Sequence, residues 1–262
     1  MISFLFLTRN RLGVTARCFK SLADTLRRED VEWRIVDNGS TDGTAEWLLR
    51  VAAAYPGQVH VTLRADNTGV AGGRQLLLNE ARGDTLVILD ADVEARRAGW
   101  LERLLAPLAD PSIGICGPGG NWVTAGWQWY EPVTVDYAGP CDTISGYCQA
   151  FRREVLDRGA VMDMAFNPYW HEDSDWCMQI AAMGLKVWCT GDVGLYHIYA
   201  GTGDTGGGHI KQRYLASKWR GKGLVRHERE PLAEEARTPT LKAQPTEVHD
   251  APHNNGGVPC LT

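Results

Sequence analysis

The stretch Leu86-Val87-Ile88-Leu89-Asp90-Ala91-Asp92 decides the fold. Its unbroken apolar run, half of it β-branched and bounded by polar residues, reads as a strand buried on both faces. Two carboxylates then emerge together where the strand ends. In an open α/β sheet the carboxyl ends of the strands form the ligand crevice. Oxygen ligands placed there suit a hard divalent cation, Mn2+ or Mg2+, bound together with substrate phosphates. A D-x-D tripeptide is weak by itself, and Asp173-Ser174-Asp175 repeats it. Position in the architecture separates the two copies.

Upstream of that strand, apolar runs alternate with helix-period stretches. Ile2 to Leu7 is followed by Leu12 to Leu26, where Cys18, Leu22 and Leu26 recur every fourth residue, and then by Trp33 to Val36. A helix around Ala45 to Ala54, a strand at Val59 to Leu63, a helix around Gly72 to Ala81 and the strand from Thr85 continue the alternation. The pattern predicts an α/β fold of one domain, a Rossmann-like, mainly parallel central sheet flanked by helices with right-handed crossovers. Beyond Pro118 it loosens into Trp-, Gly- and Pro-rich segments, with a helix from about Glu172 to Met183 and strands near Val187 and Leu195. Residues 228–262 lack apolar periodicity and read as a flexible tail.

Composition excludes several classes. A net charge of -5 over 262 residues gives no basic field for nucleic acid. The seven cysteines are odd in number, scattered and never spaced C-x-x-C, so reduced, mostly buried thiols are expected. Ile2 to Leu7 is too short for a signal-peptide core. No run approaches the roughly 20 apolar residues of a membrane span. A cytoplasmic protein is expected, with peripheral placement at the inner face of the membrane left open.

Four predicted strand ends carry the polar residues. They are Thr8-Arg9-Asn10-Arg11, Asp37-Asn38-Gly39-Ser40-Thr41-Asp42-Gly43, Arg64-Ala65-Asp66-Asn67-Thr68-Gly69 and Asp90-Ala91-Asp92. Asp37, at the last strand position, can accept hydrogen bonds from a ribose or a base edge, while Ser40, Thr41 or Asp42 can cap the next helix. A metal on Asp92 can bridge two phosphates of a nucleotide diphosphate. Arg74, in a helix opened by Gly69, Gly72 and Gly73, can meet phosphate beside helix amides, although the P-loop lysine and spacing are absent. Trp170-His171-Glu172-Asp173-Ser174-Asp175-Trp176 opens a helix, where acids are favoured by the macrodipole. Its adjacent carboxylates, Glu172 and Asp173, also offer a general base for an acceptor hydroxyl. His197 ends a strand and can complete a mixed Asp and His shell, though a lone histidine is more often structural.

In this order the segments resemble the family-2 glycosyltransferases of the glycosyltransferase A fold: Thr8 to Arg11, Asp37 to Thr44, Asn67 to Arg74, Leu89 to Asp92, Glu172 to Trp176, and His197. The resemblance spans about residues 1 to 222. It implies a nucleotide-sugar donor, UDP-linked by default, and inversion at the anomeric carbon in one displacement. It implies Asp37 and Asp66 near the nucleoside, Asp92 on the metal and diphosphate, His197 near the metal and Asp173 as base. The expected donor set is thus Thr8, Asn10, Arg11, Asp37, Asp66, Arg74, Asp90 and Ala91. Residues 1–117 are the expected donor half, and 118–227 the acceptor-binding and catalytic half, for a saccharide, a lipid-linked saccharide or a small hydroxyl compound. Where relatives often carry Asn after the residue matching Arg74, this chain has Gln75.

Two rivals are weighed. A sugar nucleotidyltransferase needs a basic Gly-rich N-terminal loop, which Thr8 to Gly13 lacks. A non-catalytic nucleotide- or carbohydrate-binding module has no need of Asp90, Asp92 and Asp173. The Gly-rich segment 201–208 reads as a lid or a linker. Lys211, Arg213, Lys218, Arg220 and Lys222 read as an anion site or a solvated helix face. Trp122, Trp127, Trp129 and Trp170 read as sugar-stacking or core residues.

Overall fold

A computed structural model describes residues 1–26, 30–128, 130–198 and 207–229. Strand β1 (Ile2–Thr8), helix α1 (Leu12–Thr25), β2 (Val31–Asp37), α2 (Thr44–Ala54), β3 (Val59–Leu63), α3 (Gly69–Glu80) and β4 (Thr85–Asp90) follow the expected alternation. Next come β5 (Val93–Ala95), α4 (Trp100–Leu105), β6 (Ile113–Gly117), β7 (Gly120–Val123), β8 (Tyr130–Pro132), β9 (Ala138–Pro140), β10 (Thr143–Ile144), β11 (Cys148–Arg152) and α5 (Glu154–Asp157). Helix α6 (Glu172–Ala182), β12 (Lys186–Thr190), β13 (Leu195–His197), α7 (Gly208–Trp219) and α8 (Arg226–Arg229) complete them.

The central sheet runs β3-β2-β1-β4-β11-β6-β12-β9. Its first four strands are parallel, as the alternation requires; β11 lies antiparallel between β4 and β6, and β12 returns parallel to β6. The second half therefore mixes directions: the connection from β6 to β11 runs through the short strands β7 to β10 with no crossover helix among the described residues. Chain order reverses at β1, flanked by β2 and β4, and a crevice opens there at the strand ends.

Period-two alternation along β1 divides the core. Phe4 and Phe6 face Phe19 and Leu22 of α1, Trp47 of α2 and Trp100 of α4. Leu5 faces Leu77 of α3 and Trp176 and Ile180 of α6 on the opposite side. The Phe4 ring stacks on Trp33 at 4.6 Å. Each such side chain contributes about 1.5–3 kcal/mol on burial, so the sheet is clamped from both faces. A third cluster, with Trp127, Phe166, Met178, Leu215 and Trp219, seats α7 on α6. Trp127 is therefore a core residue, 1% exposed, whereas Trp170 is 43% exposed.

Helix α3 starts at Gly69, three residues before the expected start, because Gly69 adopts φ 74 and turns the chain into it. The glycines here serve close packing: a Cβ on Gly69 would run into the Asn167 side chain, and one on Gly73 into Leu7. The tail does not begin at 228. Glu228 lies in α8 and accepts hydrogen bonds from Trp127 Nε1 (3.0 Å) and from the amides of Gly221 and Gly223 (2.8 Å each). Residues 230–262, Trp129 and residues 201–206 of the glycine-rich segment lie outside the described residues. Among the described residues six cysteines are free and buried, with burial pushing Cys18 and Cys116 up to about 12. No helix among the described residues is long and apolar enough to cross a membrane.

Candidate active site

A cleft of 420 Å³ opens at the ends of β1 and β4, lined in part by Thr8, Asn10, Arg11, Asp90, Ala91 and Asp92. One oxygen each from Asp90 and Asp92 and a ring nitrogen of His197 lie within 4.8 Å of one another. β13 pairs with β5, setting His197 opposite Val93, and the imidazole stacks on Tyr147 at 4.7 Å. Loss of solvent raises the Asp90 carboxyl, against the lowering pull of Arg74, and Asp92 raises it further. A divalent cation relieves that crowding, and two hard oxygens with one imidazole suit Mn2+ or Mg2+. The donor set fits the expected ion.

Arg74 corrects its sequence reading. The guanidinium turns inward, with its side chain only 3% exposed. Nη2 donates to Asp90 Oδ1 at 2.9 Å and to the Gly146 carbonyl at 2.8 Å, and Nη1 to Glu172 Oε1 at 3.2 Å. Arg74 ties the end of β4 to the start of α6 rather than presenting itself to phosphate. Glu172 is drawn inward by the same contact, 7% exposed, so it is no open base at the rim. Burial, then Asp173, push its carboxyl up to about 7, opposed by Arg74.

Asp173 is half-buried at the first turn of α6. Gly146 N donates to its Oδ2 at 2.8 Å, and Ser174 N to its Oδ1 at 2.7 Å. Gly146 thus meets Asp173 through its amide and Arg74 through its carbonyl. A Cβ there would lie 2.9 Å from the Arg74 guanidinium and 3.1 Å from Asp173, which reserves the position for glycine.

The nucleoside-side residues separate. Asp37 is 1% exposed; its Oδ1 accepts from Ser40 N at 2.7 Å, while Oδ2 is buried with no hydrogen-bond partner among the described residues. An unmade bond of that kind costs about 1–3 kcal/mol. Asp66 is exposed on the β3–α3 loop and does not line the cleft. Thr8 Oγ1 is 3.0 Å from Thr15 Oγ1, and Asn10 Oδ1 accepts from Thr41 N at 2.8 Å, so both also brace the rim. Asp42, one residue before the Gly43 N-cap of α2, accepts from Thr44 N at 3.1 Å and from Leu12 N at 2.9 Å.

Sequence reasoning missed Asn38, Gly146 and Tyr147. Asn38 holds the β3–α3 loop through Asn67 Oδ1 (2.9 Å), Thr68 N (2.9 Å) and the Gly69 carbonyl (3.1 Å). Its place inside the Asp37 to Gly43 segment was the available signal; Gly146 and Tyr147 carried none.

Residues 3–159 match the family described as glycosyl transferase family 2. The uncharacterized glycosyltransferase YfnE of Bacillus subtilis (strain 168) is 33% identical over 104 residues, covering 38% of this chain and 26% of that protein. The chain thus spans about a quarter of that relative's length. Mannosyltransferase PcManGT from Pyrobaculum calidifontis, solved with GDP-Man and Mn2+, superposes with a TM-score of 0.64 at 22% identity, covering 83% of this chain and 61% of that one. GalNAc-T7 with UDP, GalNAc and Mn2+ gives 0.67 at 17% identity, over 83% and 48%. These two likenesses show the fold. The chain belongs to glycosyl transferase family 2.

Proposed function

We propose that the protein transfers a sugar from a nucleoside diphosphate sugar, UDP-linked by family resemblance, to an acceptor hydroxyl with inversion at the anomeric carbon. The observation that carries this reading is the Asp90, Asp92 and His197 cluster in the 420 Å³ cleft, joined through Arg74 to the helix that bears Asp173. Residues 1–117 supply most of the donor cleft; 118–227 supply the base and the acceptor side. Asp92 and His197, with Asp90, would hold Mn2+ or Mg2+, which when bound draws charge from the departing diphosphate.

The chain's own residues do the rest. Asp37 Oδ2 receives an N–H or O–H from the nucleoside, which satisfies its missing bond. Gly146 N and Ser174 N hold the Asp173 carboxylate in one orientation. Asp173 takes the acceptor's hydroxyl proton as the acceptor oxygen bonds to the anomeric carbon and the bond from that carbon to the diphosphate oxygen breaks. Arg74 keeps Asp90 and α6 at a fixed separation through the event. GDP-Man and UDP in the two structural neighbours support a nucleotide site here without choosing its base.

Thermal stabilisation by UDP, GDP, dTDP, ADP and CDP, each with Mn2+, Mg2+ or chelator, tests the proposal. A metal-dependent shift with one base supports it and names the donor class. Folded protein that responds to none refutes it.

A further inference from the structure

A second cleft, of 740 Å³, opens on the other side of the segment that carries Tyr169 and Trp170. Tyr169 lines the first cleft and Trp170 the second. One wall of the second cleft is an edge of α7: His209, Arg213, Ala216 and Arg220 recur at steps of four, three and four, a single helical stripe.

The basic residues of α7 divide by edge. On the far edge Lys211 Nζ donates to the carbonyls of Phe166 and Tyr169 at 2.9 and 2.5 Å, and Lys218 Nζ pairs with Asp163 and Asp175 at 2.8 Å each. On the cleft edge Arg220 donates to the Gly126 carbonyl at 2.7 Å, and the exposed Arg213 side chain makes no hydrogen bond or ion pair among the described residues. No acidic residue lines this cleft among the described residues, which inverts the charge of a chain at -5. The first turn of α7, the positive end of its dipole, opens the same wall.

Facing the cations are Trp170 and Tyr130, whose hydroxyl is 3.0 Å from His171 Nδ1. His171, which lines this cleft, stands two residues before Asp173, the proposed base. We infer that this cleft binds the acceptor, as a saccharide bearing an anionic group, carboxylate or phosphate ester. A sugar face lies on Trp170 and the anion meets Arg213 and Arg220. The inference rests on the transferase reading above.

The test is a saturation-transfer NMR titration of the full 262-residue chain with methyl β-glucuronide, glucose 6-phosphate and neutral methyl β-glucoside, in chelator. At least one anionic sugar is expected to bind about tenfold or more tighter than the neutral one, the scale of one charge-assisted hydrogen bond. Which anion wins separates a carboxylate from a phosphate acceptor. Arg213→Gln is expected to abolish the preference and Arg213→Lys to keep most of it, both with unchanged circular dichroism. Equal binding of the three sugars, binding of none, or a preference that survives Arg213→Gln overturns the inference. Thermal shifts with nucleotide and Mn2+ on the same samples separate the two ideas. If wild type responds to nucleotide but shows no anion preference, only the acceptor assignment fails. If Arg213→Gln loses the nucleotide response, Arg213 serves the donor and the inference is overturned.

Discussion

His197 Nε2 lies 3.1 Å from Asp92 Oδ1 across 105 residues of sequence. The two-stranded pairing of β13 with β5 and the Tyr147 ring beneath the imidazole fix that approach. His197→Ala is expected to weaken Mn2+ binding by more than about tenfold, the lower end of what even an outer-shell partner costs a metal site. Isothermal titration with the metal alone measures it. An unchanged Mn2+ affinity removes His197 from the ligand set.

Asp173→Asn keeps the side chain's shape but cannot take a proton, and its amide nitrogen gives up one of the two bonds that the carboxylate accepts from Gly146 N and Ser174 N. Turnover is expected to fall by about 10²–10⁴-fold, the usual contribution of a general base. The metal-dependent nucleotide shift should persist. Loss of the nucleotide shift along with turnover would instead give Asp173 a part in holding the donor.

Glu172 sets a pH dependence of stability. Its folded carboxyl is pushed from 4.5 up to about 7, chiefly by burial, so the folded state binds the proton more readily than the unfolded chain. The stability it contributes is full below pH 4.5 and is lost as pH rises to about 7. Urea unfolding in chelator should show Glu172→Gln flattening that decline. A slope identical to wild type across the window contradicts the assignment.

Two glycines should respond to alanine with opposite signs. Gly69 sits at φ 74 against Asn167, so Gly69→Ala is expected to destabilise by more than about 1 kcal/mol. Gly13 lies in α1 with open space around it, so Gly13→Ala is expected to stabilise by about 0.4–1 kcal/mol. Urea midpoints read both.

The first half of the fold was legible because hydrophobic periodicity is a local signal. Val59 to Leu63 has the bounds read from sequence, and Cys18 and Leu22 of the predicted stripe are fully buried. The grouping of Asp90, Asp92 and His197 was legible too: Asp90 and Asp92 share a strand end, and the family order supplied His197. Arg74 was not, because its direction depends on Glu172, 98 residues away, and on a carbonyl at Gly146. The second half yielded least. Short strands such as β9 and β10 are set by their partners rather than by their own composition. Trp127 read as readily as a sugar platform as a core residue, and only its packing against α7 decides.

Tyr169 and Trp170 form a partition, so that neighbouring residues line different clefts. Lys211 holds it from behind by the Tyr169 carbonyl, and Asp173 begins three residues further on. A substitution that retunes one chamber therefore displaces the backbone of the other and the catalytic turn after it. On the proposed reading, donor and acceptor preference are coupled through this segment, and engineering that treats them as independent dials should exchange Asn167 to Asp173 whole.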